Sequence, residues 1–321
     1  MKEKRNIFAA DYVHPHGLDI LKNKFNVVVL PQGNNAALQR SLVSYGKSKG
    51  ALLVRSTRNV DAALLKSLSN NTGIDLICTV SSGYDNLDLD ACRKYRIKAM
   101  NVAGANSTSA AEFTIALLLA ITKNIIPANS DMKKGKFTSS VYSNTELARK
   151  TIGIIGFGRI GSKVAKLARA FGMIIIANDI KQSVREKYDS INFVSLNKLL
   201  SSSDFITIHT PLDKSSHYLL NSSNLKNVKK GAVVVNTSRG GTIDEKALLK
   251  LLRSGVIGYA GIDVFENEPS FNRGFTKLSN VILTPHLAGK TIESRERMAA
   301  EAAKKIIKFY AKKLTSVELI N

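Results

Sequence analysis

Residues 151–179 constrain this chain more than any other stretch. They read TIGIIGFGRIGSKVAKLARAFGMIIIAND. Thr151 to Ile155 is a short apolar run rich in β-branched residues, the pattern of a buried strand. Gly156, Gly158 and Gly161 follow as G-x-G-x-x-G. From Ser162 to Ala170 the apolar positions Val164, Leu167 and Ala168 take a helical spacing, and Gly172 ends the helix. Met173 to Ala177 reads as a second buried strand, and Asp179 stands at its end, 18 positions beyond Gly161.

Each part of this unit has a physical task. The first glycine allows a tight turn, the second lets the backbone approach a pyrophosphate, and the third lets helix and strand pack closely. The helix start turns free N–H groups toward the phosphates. A carboxylate at Asp179 accepts hydrogen bonds from a ribose 2′-hydroxyl and repels a 2′-phosphate. A bare G-x-G-x-x-G is an ordinary glycine-rich turn. Strand, turn, helix, strand and acid in this order point to a bound dinucleotide, and to NAD over NADP.

On either side the pattern alternates between strand and helix. Strands are expected over residues 5–10, 25–30, 51–54, 74–80 and 97–102. Helices are expected from Pro15, over 36–45, over 60–68 and over 87–95. That is a small parallel α/β domain with no phosphate loop of its own, and so a domain for substrate. Residues 105–125 read as one long helix whose start, ANSTSAAEF, is rich in cap-forming residues and whose end precedes Pro127. Residues 127–150 read as a polar, basic connection. Beyond Asp179 the reading places a helix over 194–200. Strands 205–208, 232–235, 256–262 and 281–283 follow, each leading into a polar cluster. Thr242 and Glu245 suggest a capping box for a helix to Leu252. Because ligands bind at the carboxyl ends of strands in an open α/β sheet, Arg239, Glu268 and His286 are expected near one crevice.

Length and composition set outer limits. A chain of 321 residues can form two cores, and 44% hydrophobic content with a mean hydropathy of -0.05 suits a water-soluble globular protein. The longest apolar run, 113–121, is too short to span a bilayer, and no signal peptide is read at the N-terminus. Cys78 and Cys92 make neither a disulfide framework nor a zinc motif, so no metal is expected and a reducing cytoplasm is inferred. The net charge of +22 suits either an anionic partner or a surface that steers anionic substrates. The basic residues are scattered, with clusters at 133–136 and 226–230 and a ridge of Lys304, Lys308 and Lys312. None is interleaved with aromatic residues as a base-stacking platform requires, so nucleic-acid binding is not expected as the main role.

The motifs taken together resemble the D-isomer-specific 2-hydroxyacid dehydrogenases. The resemblance runs from about Val54 to Gly289 through VRST at 54–57, SSGYDNLDL at 81–89 and NVAGANSTSAAE at 101–112. It continues through ELARKTIGIIGFGRIG at 146–161, HTPL at 209–212, VVNTSRGGTIDE at 234–245, GIDVFENEP at 261–269 and TPHLAG at 284–289. It implies a Rossmann dinucleotide-binding domain, 101–290, inserted into a flavodoxin-like substrate domain, 1–100 with 291–321, both with parallel sheets. The activity implied is hydride transfer between a nicotinamide and C2 of a small D-2-hydroxy or 2-oxo acid, in the manner of phosphoglycerate dehydrogenase or glyoxylate/hydroxypyruvate reductase.

By the same resemblance the catalytic set is Arg239, Glu268 and His286. His286 would exchange the hydroxyl proton, Glu268 would fix the ring and favour its protonated form, and Arg239 would bind the carboxylate and polarise the C2 oxygen. Cofactor-side residues carried over are Gly156, Gly158, Arg159, Ile160, Gly161, Asp179, His209, Thr210, Pro211, Thr237, Ser238, Asp263 and Gly289. Among them Asp263 is expected near the nicotinamide amide. Arg55, Ser82, Gly83 and, at the domain junction, Asn106 match substrate-side positions. The family's dimer-forming region matches 105–150, so a homodimer is expected. SSGYDNLD leans toward glyoxylate or hydroxypyruvate reductases, whereas RST leans toward phosphoglycerate dehydrogenase. Arg149 replaces a frequent glycine. With the sequence ending at Asn321, no C-terminal regulatory domain is expected. The competing reading on this fold is a dinucleotide-sensing protein like the family's transcriptional corepressors.

Overall fold

The structure is a computed structural model, and it describes residues 4–313 and 319–321. The chain divides into two units, one formed by the chain up to Asn106 and again from Thr291, the other by Ser107–Lys290.

The first unit is built on β1 (Asn6–Ala9), β2 (Asn26–Val29), β3 (Lys49–Val54), β4 (Gly73–Thr79) and β5 (Lys98–Met100). All pair in parallel, in the order β2-β1-β3-β4-β5. The chain alternates between the two faces with period two. Leu52 and Val54 of β3 pack under the helices Asn35–Val43, Ala62–Asn71 and Leu89–Lys94. Ala51 and Leu53 pack under Pro15–Lys22 and Ile292–Tyr310. With both faces covered, the strands can be continuously apolar, which is why they read as short unbroken runs. Asn34, Asp61, Asp88 and Thr291 cap four of these helices through their side chains.

The second unit holds β6 (Thr151–Ile155), β7 (Ile174–Asn178), β8 (Asn192–Phe193), β9 (Phe205–Ile208), β10 (Ala232–Asn236), β11 (Ile257–Ile262) and β12 (Val281–Leu283). The sheet is parallel, in the order β12-β11-β10-β9-β6-β7-β8. Ile152 and Ile154 face the helices Ser107–Thr122 and Gly161–Ala170, and Ile155, Ile206 and Ile208 face the helices Leu196–Ser202 and Glu245–Arg253. The strand order reverses direction between β6 and β9, which opens a crevice at their carboxyl ends. The molecule is thus α/β: a Rossmann dinucleotide-binding domain inserted into a flavodoxin-like one, each with a parallel sheet.

Several local expectations are corrected. The long helix stops at Thr122; Asn124 takes φ +49, and a second helix, Ile125–Lys133, leaves at 60°. Pro127 does not end a helix but sits in the first turn of that second one, where its missing N–H costs nothing. The stretch read as connection from 127 therefore begins helical. The capping box at Thr242 and Glu245 does not form: Asp244 is the cap and accepts from Lys246 and Ala247 N–H groups. Lys312 lies beyond the last helix at φ +55, so the basic ridge is shorter than its spacing suggested. Among the described residues no single helix is long and apolar enough to cross a membrane.

Candidate active site

The glycine turn after β6 follows from steric limits. Gly156 has φ +84, and a side chain there would begin 2.8 Å from the His209 carbonyl oxygen. A Cβ on Gly161 would lie 2.1 Å from the Gly156 oxygen, so the helix start is held against the turn. Around Gly158 nothing lies within 4 Å, and Gly158 and Arg159 are exposed. The helix that begins at Gly161 has no side-chain cap at Ile160; Ser162 and Lys163 N–H donate to the Gly158 and Ile160 carbonyls, and the positive end of the helix faces the turn. Asp179, at the end of β7, accepts from Phe157 N–H at 2.8 Å and Lys181 N–H at 2.9 Å, so its carboxylate is fixed beside the glycine turn.

Across the crevice, β9 delivers His209, Thr210 and Pro211. Both ring nitrogens of His209 and the Thr210 hydroxyl are buried without a hydrogen-bond partner. Burial alone drives the His209 imidazole down to about 3, so the ring is neutral and keeps one donor and one acceptor. Buried polar atoms of this kind are costly unless something fills the site. An adenosine has the ribose hydroxyls and ring nitrogens to do so. Orphaned polar atoms next to a turn whose Gly156 and Gly161 leave no room for a Cβ, and whose Gly158 stands open, fit a dinucleotide.

After β10, Asn236 fixes the next loop: its side chain donates to the Arg239 carbonyl at 3.0 Å and accepts from the Ser238 hydroxyl at 2.9 Å. The Thr237 hydroxyl is paired with Thr114 at 2.9 Å. The hydroxyls of Thr237 and Ser238 are thus engaged within the protein, and so is the Ser238 backbone, its N–H donating to Asn236 at 3.0 Å and its carbonyl accepting from Arg239 at 2.7 Å. A Cβ on Gly240 would fall 1.9 Å from the Phe265 carbonyl carbon, so the Arg239 loop packs directly on the segment leading to Glu268. Glu245 and Glu266 brace that segment by accepting each other's backbone N–H at 3.2 and 2.9 Å.

Glu268 and His286 come together at 2.7 Å between Oε2 and Nδ1. The other carboxylate oxygen accepts from Phe265 N–H at 3.0 Å. Burial tends to raise the Glu268 pKa. The hydrogen bond and charge of His286, the Phe265 N–H and the charge of Arg239 outweigh it and hold the carboxyl below its usual range. With Nδ1 on the carboxylate, Nε2 is free for a substrate, and the pair is 40% and 35% exposed, open enough to meet one. His286 itself takes φ +54, an uncommon conformation for a residue with a side chain.

Asp263 explains how that conformation is held. It is 0% exposed at the end of β11. Its carboxylate accepts from the Thr284 hydroxyl at 2.6 Å, Leu287 N–H at 2.7 Å and Ala288 N–H at 2.9 Å. Its carbonyl accepts the His286 N–H at 2.8 Å. This buried acid ties down the loop that carries His286 and Gly289, a role that sequence reasoning did not find beside the one it expected near the nicotinamide amide. The four groups come from a loop more than 20 positions away, and no local pattern announces them. Among the described residues no cluster of His, Cys, Asp and Glu could hold a metal ion.

Arg55, Ser82, Gly83 and Asn106 belong to the first unit. Arg55 follows β3, and its backbone N–H is held by Asp11 at 2.9 Å. Ser82 and Gly83 follow β4; the Ser82 hydroxyl accepts from Gly104 N–H at 3.1 Å, and Ser81 donates to the Gly83 carbonyl at 2.7 Å. The Asn106 side-chain oxygen is buried without a partner.

Residues 115–288 match the profile of the D-isomer specific 2-hydroxyacid dehydrogenase, NAD binding domain. Hydroxypyruvate reductase of Thermotoga maritima is 39% identical over 260 residues, which span 80% of this chain and 83% of that protein. Glyoxylate reductase of Thermococcus litoralis is 35% identical over 314 residues, 95% of this chain and 94% of that one. D-Lactate dehydrogenase of Aquifex aeolicus, solved with NAD and lactic acid, superimposes with a TM-score of 0.83 at 29% identity, covering 98% of this chain and 99% of that one.

Proposed function

The chain belongs to the D-isomer-specific 2-hydroxyacid dehydrogenase family, and from that premise we propose that it reduces glyoxylate or hydroxypyruvate through Arg239, Glu268 and His286. It is an NAD-dependent oxidoreductase of small 2-hydroxy and 2-oxo acids. The observation that carries the proposed roles is the 2.7 Å contact between Glu268 and His286.

When bound, the nicotinamide exchanges a hydride with C2 of the substrate, and the chain's own residues do the rest. The glycine turn and Asp179 hold the dinucleotide, the latter by the ribose hydroxyls. Arg239 binds the substrate carboxylate in a two-pronged, charge-assisted contact and draws electron density from the C2 oxygen. In reduction the protonated His286 gives its Nε2 proton to that oxygen; in oxidation the neutral ring takes it back. Glu268, bonded to Nδ1, fixes the ring and favours its charged form. The corepressor-like alternative has no support, since the relatives found include reductases and dehydrogenases of such acids.

A homodimer is part of the reading. Ile125, Ile126, Met132, Phe137 and Val141 are exposed apolar side chains within one short stretch, with Phe137 84% exposed. Light scattering that shows a stable monomer at micromolar concentration would count against it. We assign the protein to a reducing cytoplasm, because both of its cysteines are free and buried. The deciding experiment is NADH oxidation with glyoxylate, hydroxypyruvate, 3-phosphohydroxypyruvate and pyruvate. Turnover of the first two supports the proposal. Turnover confined to the third moves the enzyme to phosphoglycerate chemistry, and none with any refutes the reading.

A further inference from the structure

A parallel sheet sets all its strand starts at one end, so residues that precede different strands meet there although the sequence keeps them far apart. In the second unit Lys150 precedes β6, Asp204 precedes β9 and the turn Lys229–Gly231 precedes β10. They border a cavity of about 220 Å³ at the end of the sheet opposite the glycine turn and the Arg239 loop. Its floor is apolar, since Ile121, Phe205 and Val233 are buried, and the half-exposed Tyr259 also lines it. The volume lies below the roughly 300–1,000 Å³ of sites for drug-sized molecules, so it suits a smaller one.

Charge around this cavity is unbalanced. Three lysines, Lys150, Lys229 and Lys230, meet one carboxylate, Asp204. That acid is committed: it accepts from Lys229 Nζ at 2.7 Å and from Thr151 N–H at 2.9 Å. Burial tends to raise its pKa, but these two contacts and the charge of Lys150 outweigh it, so it stays ionised at neutral pH. Among the described residues the ammonium groups of Lys150 and Lys230 make no hydrogen bond or ion pair. The walls are held from both sides. Lys229 N–H donates to the Leu200 carbonyl at 3.1 Å and Gly231 N–H to the Val256 carbonyl at 2.8 Å. Opposite them, Thr145 N–H donates to the Thr122 carbonyl at 2.9 Å, Lys123 Nζ to the Thr145 carbonyl at 2.9 Å and Asn124 to the Ser143 carbonyl at 3.2 Å. Lysines over a flat surface would be a solvated face. A hollow with an apolar floor beneath them gives a ligand both a charge to meet and carbon to bury.

We propose that this cavity binds a small organic anion, a carboxylate or phosphate on a short carbon body, with Lys150 and Lys230 meeting the charge and Ile121, Phe205 and Val233 covering the carbon. The occupant is not the dinucleotide, whose glycine turn lies at the carboxyl ends of the same strands. Asn124 and residues 143–145 flank the excursion 125–142, which carries the exposed Ile125, Ile126, Phe137 and Val141. A ligand held between them and the sheet ties the two legs of that excursion together, so occupancy steadies its root.

The test is calorimetry on the NADH-saturated full chain with four probes. Inorganic phosphate carries the charge alone, phenyl phosphate and benzoate carry charge and carbon, and phenol carries the carbon alone. An aromatic anion should bind at one site per chain, more tightly than inorganic phosphate, and phenol should not bind up to about 10 mM. Binding of phenyl phosphate alone identifies the phosphate as the group read; equal binding of benzoate shows that a carboxylate suffices. Lys150→Gln and Lys230→Gln should each weaken binding about 5- to 10-fold, the scale of one charge-assisted contact reduced by exposure to solvent. Both lysines are exposed, so the fold tolerates the changes. Arg239→Gln should leave the affinity unchanged, and hydrogen exchange at Thr145 should slow when the probe binds. No saturable binding of either aromatic anion up to about 10 mM overturns the proposal, as does an affinity untouched by both lysine substitutions or lost in Arg239→Gln. So does phenol binding as tightly as phenyl phosphate, since the charge then goes unread. If the lysine variants instead shift the oligomeric state in light scattering and no anion binds, a second copy of the chain covers the cavity and the proposal fails.

Discussion

Asp263→Asn tests how the proton-carrying histidine is held in place. The wild-type carboxylate is fully buried and accepts three hydrogen bonds from the His286 loop, at 2.6, 2.7 and 2.9 Å. Asparagine keeps one oxygen, which retains the contacts to Thr284 and Leu287 as neutral rather than charge-assisted bonds, roughly half as strong. Its amide nitrogen then faces the buried Ala288 N–H, donor against donor, and an unsatisfied buried group costs about 1–3 kcal/mol. Together these remove about 3–5 kcal/mol from a loop that must also hold His286 at φ +54, itself a strained conformation worth about 1–3 kcal/mol. Some of the loss is absorbed by relaxation of the loop. With about 1.4 kcal/mol to each decade of rate, we expect kcat to fall about 10- to 100-fold.

NADH affinity should stay near that of wild type, because the glycine turn and Asp179 are untouched. Steady-state kinetics and NADH fluorescence titration give the two numbers. Hydrogen exchange should show faster exchange at Leu287 and Ala288. A variant with normal kcat but weakened NADH binding would refute the argument and favour the position near the nicotinamide amide as what matters at Asp263.

Other substitutions probe separate parts of the site. His286→Ala should lower kcat by about two to four orders of magnitude with little change in NADH affinity; near-normal turnover on the best substrate would show that another group carries the proton. Wild type should favour NADH over NADPH in kcat/KM, and Asp179→Ala should narrow the gap; equal or better use of NADPH by wild type contradicts the role given to Asp179. Gly161→Ala places a methyl 2.1 Å from the Gly156 oxygen and should weaken NADH binding at least about tenfold by pushing the turn out of place, which titration checks directly.

What the sequence makes legible follows from what is local. Thr151–Ile155, Phe205–Ile208 and Val281–Leu283 appear with the bounds read from the chain, because each is a buried apolar run between turn residues. The helix Gln182–Lys187 was not foreseen: none of its residues is buried, so it carries no apolar period. Asp244 displaced Thr242 as a cap because Thr242 is buried in a short 3-10 turn, where its hydroxyl donates to the Arg239 carbonyl instead. In the site, the order of motifs pointed to Glu268 and His286. The group that holds the His286 loop did not show, because Asp263 meets its partners across 21 to 25 positions; nor did the tie at Asp11, beside Arg55, which Arg58 meets across 47. Those ties form only once strands from distant parts of the chain lie side by side.

Glu268→Gln separates the charge of the carboxylate from its shape. Glutamine fills the same volume but has one acceptor oxygen where the carboxylate uses two, so it keeps the contact with Phe265 N–H or with Nδ1 of His286 and turns its amide nitrogen to the other. What it loses is the negative charge 2.7 Å from Nδ1, which favours the imidazolium over the neutral ring. In the reductive direction His286 must begin protonated. Without the charge the protonated ring is less favoured, so the alkaline limb of the reductive kcat/KM profile should move toward acid. In the oxidative direction the neutral ring is the active form, so the acid limb should also move down. Wild type has a second feature at the acid end. Its Glu268 carboxyl is held below the usual range, so its charge persists at neutral pH and is lost only as the pH falls through that depressed value. Any step in the wild-type profile below pH 4.5 should therefore vanish in the Gln variant. Profiles in both directions, measured with saturating cofactor, decide the matter. If both limbs stay where they are in wild type, Glu268 does not govern the proton on His286, and its contact with the ring is structural.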